Sequence, residues 1–377
     1  MSSFSPLTGS IIPRKTEAKV NALKQVWEVI NVMNTYWKSI LSGAALLAAS
    51  AAIPTSVSAE TTLTLSNWLP PSHPIVTDMI TPWAEQIEEA TNGDVKVRIL
   101  AKPLGSPPAH FDIARDGLAD ITFGVHGYQP GRFTLTQAAE MPFLGSSAEA
   151  VSVAYWRVYE KYAMEANEHD GVKLLGLFTH GPGTMMSTGE PIDEIADLQG
   201  MKIRVGGGIV NAMSKELGVV GLLKPAPEVY EILSRGVADG VFFPMESLRA
   251  FKLEGIVKNI TEFPGGFYNT SFFLVMNSDA FDGLSDEQKA AIEGVSGEAF
   301  ARMAGQAWDA ADTQGRAKAA EAGVNVFEAP EQLLADVSAS IAPVESGWVD
   351  TVTEAGVDGT AMLTELREIA ASIEAGN

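Results

Sequence analysis

Two periodicities alternate along the chain from residue 61 onward. Thr62-Leu63-Thr64-Leu65-Ser66 alternates apolar and polar positions with period two, whereas Val76, Met79, Ile80, Trp83 and Ile87 recur at helical spacing. Val95 to Ile99 predicts a second strand, Pro108 to Leu118 a helix, and Ile121 to Val125 a third strand. This β-α-β-α-β grammar predicts a sheet covered by helices. A helix follows from Ala148 to Glu165, with Val151, Ala154, Tyr155, Val158 and Tyr162 along one face, and then a strand from Lys173 to Phe178.

A second unit repeats the grammar: a strand at Met201 to Val205, helices at Ile209 to Leu217 and Pro227 to Ser234, and a strand at Asp239 to Phe243. Pro225, Pro227, Pro244 and the pair Gly265-Gly266 punctuate it. Ser271 to Met276 is almost continuously apolar, the pattern of a strand buried on both faces, and is expected to rejoin the first sheet. Ser285 with Gln288 forms a capping box ahead of one very long helical stretch to about Ala322, with bends expected at Gly294, Gly297, Gly305 and Gly315. Helices and loops fill Pro330 to Asn377.

The residues before Glu60 read differently. From Met33 a basic start, a small apolar run at about Ile40 to Ile53, and Val57-Ser58-Ala59 describe a secretory signal peptide cleaved after Ala59. That run is too short for a comfortable membrane span. Residues 1–32 precede a second candidate start methionine. The remaining 318 residues exceed what one core usually supports and predict two domains.

Charge and composition narrow the function. The formal net charge is −21, and residues 1–59 carry five Lys or Arg against two Glu, which leaves −24 on the exported part. Nucleic-acid binding is therefore not expected, because phosphate contacts need a basic face. With no cysteine there is neither a disulfide framework nor a thiolate metal site. The five histidines form no H-x-x-x-H or H-E-x-x-H pattern, no G-x-S-x-G elbow occurs, and Gly206-Gly207-Gly208 lacks the lysine of a phosphate loop. No metal and no cofactor are expected; an exported α/β enzyme acting on a small carboxylate stands as the alternative to a binding protein.

The chemistry concentrates in Met201-Lys202-Ile203-Arg204-Val205-Gly206-Gly207, an apolar strand that carries an arginine and breaks into glycines. A guanidinium stays charged and offers five donors in a planar fork, so burial demands an anion. Arg204 is either a carboxylate ligand or a surface-paired edge residue. Loops at the C-terminal ends of strands line the cleft of open α/β sheets. They supply Trp68, His126, Tyr128 and His180 from the first unit, and Phe243, Glu246 and Asn269 from the second, as candidate contacts. Each also has an ordinary structural reading: core for Trp68 and Phe243, a satisfied histidine for His126 and His180, a solvated helix start for Glu246. Arg132 is a second anion contact or an interface residue.

Several stretches resemble, in order and spacing, the extracytoplasmic solute-binding subunit of tripartite ATP-independent periplasmic (TRAP) transporters. They are Gly117-Leu118-Ala119-Asp120-Ile121, Glu140-Met141-Pro142-Phe143-Leu144, Leu198 to Val205, and Glu228-Val229-Tyr230 followed by Gly236-Val237-Ala238-Asp239-Gly240. The resemblance implies an α/β, two-lobed periplasmic-binding-protein fold with a long helix spanning both lobes. Lobe I would comprise 60–180 and about 268–300, and lobe II 181–267 and about 301–377. It further implies a periplasmic monomer that closes on one small organic carboxylate and hands it to integral membrane subunits, with Arg204 as the residue that pairs with the carboxylate. Sialic-acid-type members carry another arginine in the preceding strand, where Gly181 to Met186 has none, an asparagine where Phe243 stands, and a phenylalanine where Ala226 stands. Fewer donors and an added ring favour a monocarboxylate with an apolar, aromatic or cationic remainder; a cationic one would meet cation-π contacts worth ~0.5 to 2 kcal/mol each.

Overall fold

The computed structural model describes residues 24–28, 33 and 60–376. Residues 24–28 form a short helical segment. The expected signal peptide lies, after Met33, outside the described residues.

From Glu60 on, two sheets organise the chain. Strands β1 (Thr61–Ser66), β2 (Val95–Ile99), β3 (Ile121–Val125), β4 (Val172–Thr179) and β10 (Ser271–Asn277) form the first sheet in the order β2-β1-β3-β10-β4. Strands β5 (Gly183–Ser187), β6 (Lys202–Val205), β7 (Val220–Leu223), β8 (Gly240–Pro244), β9 (Asn259–Glu262) and β11 (Asn325–Glu328) form the second in the order β11-β9-β5-β8-β6-β7. The fold is the expected two-lobed α/β class. As its apolar run predicts, β10 is buried throughout and rejoins the first sheet, antiparallel between β3 and β4.

Three segments between β4 and β11 link the sheets. The chain leaves β4 through His180-Gly181-Pro182 into β5 and returns through 263–270 into β10. These two crossings bond to each other: the Gly183 N–H donates to the Tyr268 carbonyl and the Phe267 N–H to the Gly183 carbonyl, both at 2.9 Å. The third link is the helix Glu298–Ala322, which packs against the helix Ala148–Tyr162 and β4 in the first lobe and against Glu246–Ala250 and β11 in the second.

This helix corrects one expectation. The stretch after Ser285 is two helices, Asp286–Gly294 and Glu298–Ala322, because Gly297 takes a left-handed φ of 61° and donates its N–H to the Leu175 carbonyl. Neither Gly305 nor Gly315 interrupts the second helix, which runs through both. They are glycines because backbone touches them: a Cβ on Gly305 would sit 2.3 Å from the Glu149 Cα, and one on Gly315 2.2 Å from the Met245 carbonyl oxygen. Between them Asp309 accepts the Ala148 N–H at 2.6 Å and Asp312 accepts the Glu246 N–H at 2.7 Å. One helix thus caps a helix start in each lobe, where carboxylates are favoured.

The C-terminal helices divide between the lobes, which corrects the assignment of all of 301–377 to the second. Glu331–Glu354 packs on Ile209–Glu216 of the second lobe, whereas Gly359–Glu374 lies along Ala148–Tyr162 of the first. Its buried stripe of Met362, Leu363, Leu366 and Ala370 explains that docking, and Lys161 pairs with Glu365 beside it.

Candidate functional site

Arg204 lies on the inner wall of the second lobe. On β6 only Lys202 is exposed, so the strand carries its arginine into the interior, where the side chain is 2% accessible. Its Nε donates to the Lys224 carbonyl at 2.8 Å and its Nη2 to the Tyr128 hydroxyl oxygen at 3.3 Å, and Cζ sits 4.5 Å from the Phe243 ring centroid. Among the described residues no Asp or Glu pairs with it. Tyr128 comes from the first lobe, and its oxygen also accepts the Ala226 N–H at 2.8 Å. With both lone pairs engaged, the Tyr128 proton is free to be donated elsewhere.

A cavity lies between the sheets, bounded by Arg204 and Tyr128 and by rings from both lobes: Trp68 and Phe272 on one side, Phe243 and Phe251 on the other. The Trp68 Nε1 donates to the Phe123 carbonyl at 2.9 Å, so this indole offers the cavity only its faces. Phe243 stacks on Phe251 at 5.5 Å and 11°. A mostly apolar, ring-lined cavity with one guanidinium fork suits a ring bearing one carboxylate.

Six of the eight candidates line this cavity: Arg204, Trp68, Tyr128, His180, Phe243 and Glu246. His126 and Asn269 do not. The Asn269 amide donates to the His180 carbonyl at 2.8 Å and so braces the crossing between lobes. Arg132 is committed to Asp112 and Gln129, away from the cavity. Sequence reasoning missed Phe251, Phe272 and Trp308 as lining residues and had His73 only as the end of the cleft-lining loop 67–73; nothing in a helical repeat marks Trp308 as lining a cavity.

His126 belongs to a buried chain behind the site. Ser271 donates to Glu140 Oε1 at 2.6 Å, His126 Nδ1 lies 3.0 Å from the Ser271 hydroxyl, His126 Nε2 lies 2.9 Å from His169 Nε2, and Tyr159 lies 3.0 Å from His169 Nδ1. With Glu140 ionised, one set of donations satisfies every atom: Tyr159 to His169, His169 to His126, His126 to Ser271, Ser271 to Glu140. Both imidazoles are then neutral, as burial dictates, with His126 held well below the usual histidine value and His169 down at about 3. Glu140 also accepts the Ile209 N–H at 2.9 Å, which ties the first lobe to a helix start in the second.

Burial raises the Glu140 carboxyl from 4.5 to about 6. A raised folded value means that protonation favours the folded form, so this group contributes most stability below pH 4.5 and the contribution is lost as pH rises through 6. The shift corresponds to about 2 kcal/mol. Relative to Glu140→Gln, which keeps the shape without titrating, the parent protein should lose about 2 kcal/mol of unfolding free energy between pH 4 and pH 7.5. Urea denaturation of both proteins checks this; a difference that stays constant across that range refutes it.

Gly127, next to Tyr128, meets the glycine turn after β6. A Cβ on Gly127 would stand 2.8 Å from the Gly207 carbonyl carbon and from the Gly208 nitrogen. The lobes therefore touch backbone to backbone at the mouth of the arginine site.

Residues 65–347 match the family model "Bacterial extracellular solute-binding protein, family 7". A TRAP periplasmic solute-binding protein from Bordetella bronchiseptica, solved with bound (R)- and (S)-mandelate, is 45% identical, with a TM-score of 0.81, covering 83% of this chain and 99% of its own. A TRAP solute-binding protein from a marine metagenome, described as specific for aromatic acid ligands and solved with 3-hydroxybenzoate, is 33% identical, with a TM-score of 0.77 and coverage of 83% and 98%. One from Rhodoferax ferrireducens, solved with copurified benzoate, is 28% identical, with a TM-score of 0.78 and the same coverage. With its two α/β lobes, its matched span and these neighbours, the chain belongs to the family-7 bacterial extracellular solute-binding proteins, the extracytoplasmic receptors of TRAP transporters.

Proposed function

We propose that this receptor captures an aromatic monocarboxylate, held by Arg204 and Tyr128 at its carboxylate and by Trp68 and Phe243 at its ring, with His180 and Glu246 completing the wall. The observation that carries the reading is the buried guanidinium without an acidic partner, set over an aromatic ring at 4.5 Å. A second carboxylate would find no second arginine among the described residues of the cavity wall, which argues against dicarboxylates. The related proteins that hold mandelate, benzoate and 3-hydroxybenzoate support the same ligand class. Binding across both lobes would draw them together, because the ligand contacts both walls only when they are close.

The mature receptor would begin at Glu60 after export, act as a monomer, present its closed form to the membrane subunits and leave its ligand chemically unchanged. Calorimetric titration with benzoate, mandelate, 3-hydroxybenzoate, succinate and glucuronate tests the ligand class. Micromolar or tighter binding of the aromatic acids, about −8 kcal/mol, is expected. Preference for succinate or glucuronate would overturn the reading, and release of a product from the bound acid would restore the enzyme alternative.

A further inference from the structure

Beyond the arginine, the cavity wall holds a second polar group of atoms. His180, Glu246 and Trp308 all line the cavity and are each at most 3% accessible. Three of their atoms, His180 Nε2, Glu246 Oε1 and Trp308 Nε1, have no hydrogen-bond partner among the described residues. They sit close together: the His180 and Trp308 rings are 6.0 Å apart, the His73 ring lies 6.5 Å from Trp308, and His73 Nε2 is 3.1 Å from Glu246 Oε1, off the line a hydrogen bond needs. None bonds to Arg204.

The chemical character of the three atoms is fixed by their surroundings. His180 Nδ1 faces the Gly181 carbonyl and must donate to it, so Nε2 presents a lone pair. Burial lowers the His180 value to about 4, which keeps the ring neutral. Glu246 Oε2 accepts from the Ser247 hydroxyl at 2.8 Å, leaving Oε1 as an acceptor. Trp308 Nε1 can only donate. The set is two acceptors and one donor.

We infer that the ligand carries a hydroxyl, which donates to Glu246 or His180 and accepts from Trp308, and that these three side chains set the preference for hydroxylated aromatic acids over bare ones. The inference rests on the aromatic-monocarboxylate reading above. A bare ring would leave His180 Nε2 and Trp308 Nε1 unpaired and Glu246 Oε1 with only His73 beside it, and each such loss is costly in a closed site. A second carboxylate would confront Glu246, and an ammonium would leave the Trp308 N–H facing a donor. A hydroxyl both donates and accepts, as this set of atoms requires. Sites built to bond a ligand hydroxyl reject the analogue that lacks it. The hydroxyl can sit on the ring or on the carbon next to the carboxylate, and matched pairs of acids separate the two.

The test is calorimetry on the full receptor with two pairs, 3-hydroxybenzoate against benzoate and mandelate against phenylacetate, repeated on Glu246→Gln and Trp308→Phe. In at least one pair the hydroxylated acid should bind tenfold or more tightly, and both variants should shrink that ratio at least fivefold. The pair that shows the preference identifies where the hydroxyl lies. If the bare acids bind as well as their partners, or if the ratio survives either substitution, the inference is overturned while the aromatic-acid reading stands. If no aromatic acid binds, that reading falls and the inference with it. Retained melting temperature of the ligand-free variants shows that the change in ratio is not a folding defect.

Discussion

Arg204→Ala abolishes carboxylate binding at accessible ligand concentrations. Among the described residues of the cavity wall the guanidinium is the only arginine or lysine charge, and a carboxylate transferred there without it would be a buried, unpaired anion. Removing one partner of a buried ion pair costs about 3–5 kcal/mol, which is a loss of roughly 150- to 5,000-fold. The loss should not come from unfolding. In the closed arrangement the polar partners of Arg204 are a carbonyl and a hydroxyl, so its removal breaks no ion pair on which the fold relies. Calorimetry and thermal melting together decide the point: near-parental affinity for benzoate or 3-hydroxybenzoate in the variant would refute the role. Arg204→Lys is expected to lose almost as much, because an ammonium cannot reach the Lys224 carbonyl, Tyr128 and a bidentate carboxylate at once.

Gly127→Ala should lower the affinity for every ligand alike. Gly127 has no left-handed φ, so alanine is compatible with its own lobe. The added methyl instead meets the Gly207–Gly208 backbone of the other lobe at 2.8 Å. That turn cannot retreat easily, because Gly207 and Gly208 hold φ of 88° and 66° and Gly208 runs directly into a helix whose first N–H is bonded to Glu140. Overpacking of this kind costs about 1–3 kcal/mol. The cost falls on the closed arrangement only, which translates to roughly a five- to 150-fold loss of affinity. Ligand-free melting should be unchanged, and the ratio between hydroxylated and bare acids should be kept. An unchanged affinity would show that the two backbones need not approach for capture.

Strands are legible in the sequence where their pattern is strong. The near-continuous apolar run of β10 announces a central strand, and the alternation of β1 announces which of its faces is buried. The four-residue strands β7, β9 and β11 escape notice, since β7 and β11 are mostly exposed and all three are so short that they leave almost no periodicity. The sequence marks four glycines as bends without choosing among them; the Leu175 carbonyl, a tertiary partner, fixes the break at Gly297, while the helix runs through Gly305 and Gly315. Within the site, Arg204 is legible because a charge in an apolar strand before a glycine turn has little to do there except meet an anion. His126 is not: sequence places it in a loop after β3, but whether a loop side chain points into the cleft or back into the lobe depends on Ser271, 145 residues away.

Gly305 and Gly315 let the long helix touch the main chain of both lobes, and Asp309 and Asp312 bond to both between them. Such a strut cannot slip along either body. A shear of one lobe past the other would drive main chain into the helix at one of these glycines, whereas a tilt about the helix disturbs both contacts least. Trp308 lies between the two glycines, which places a cavity-lining indole on the strut itself.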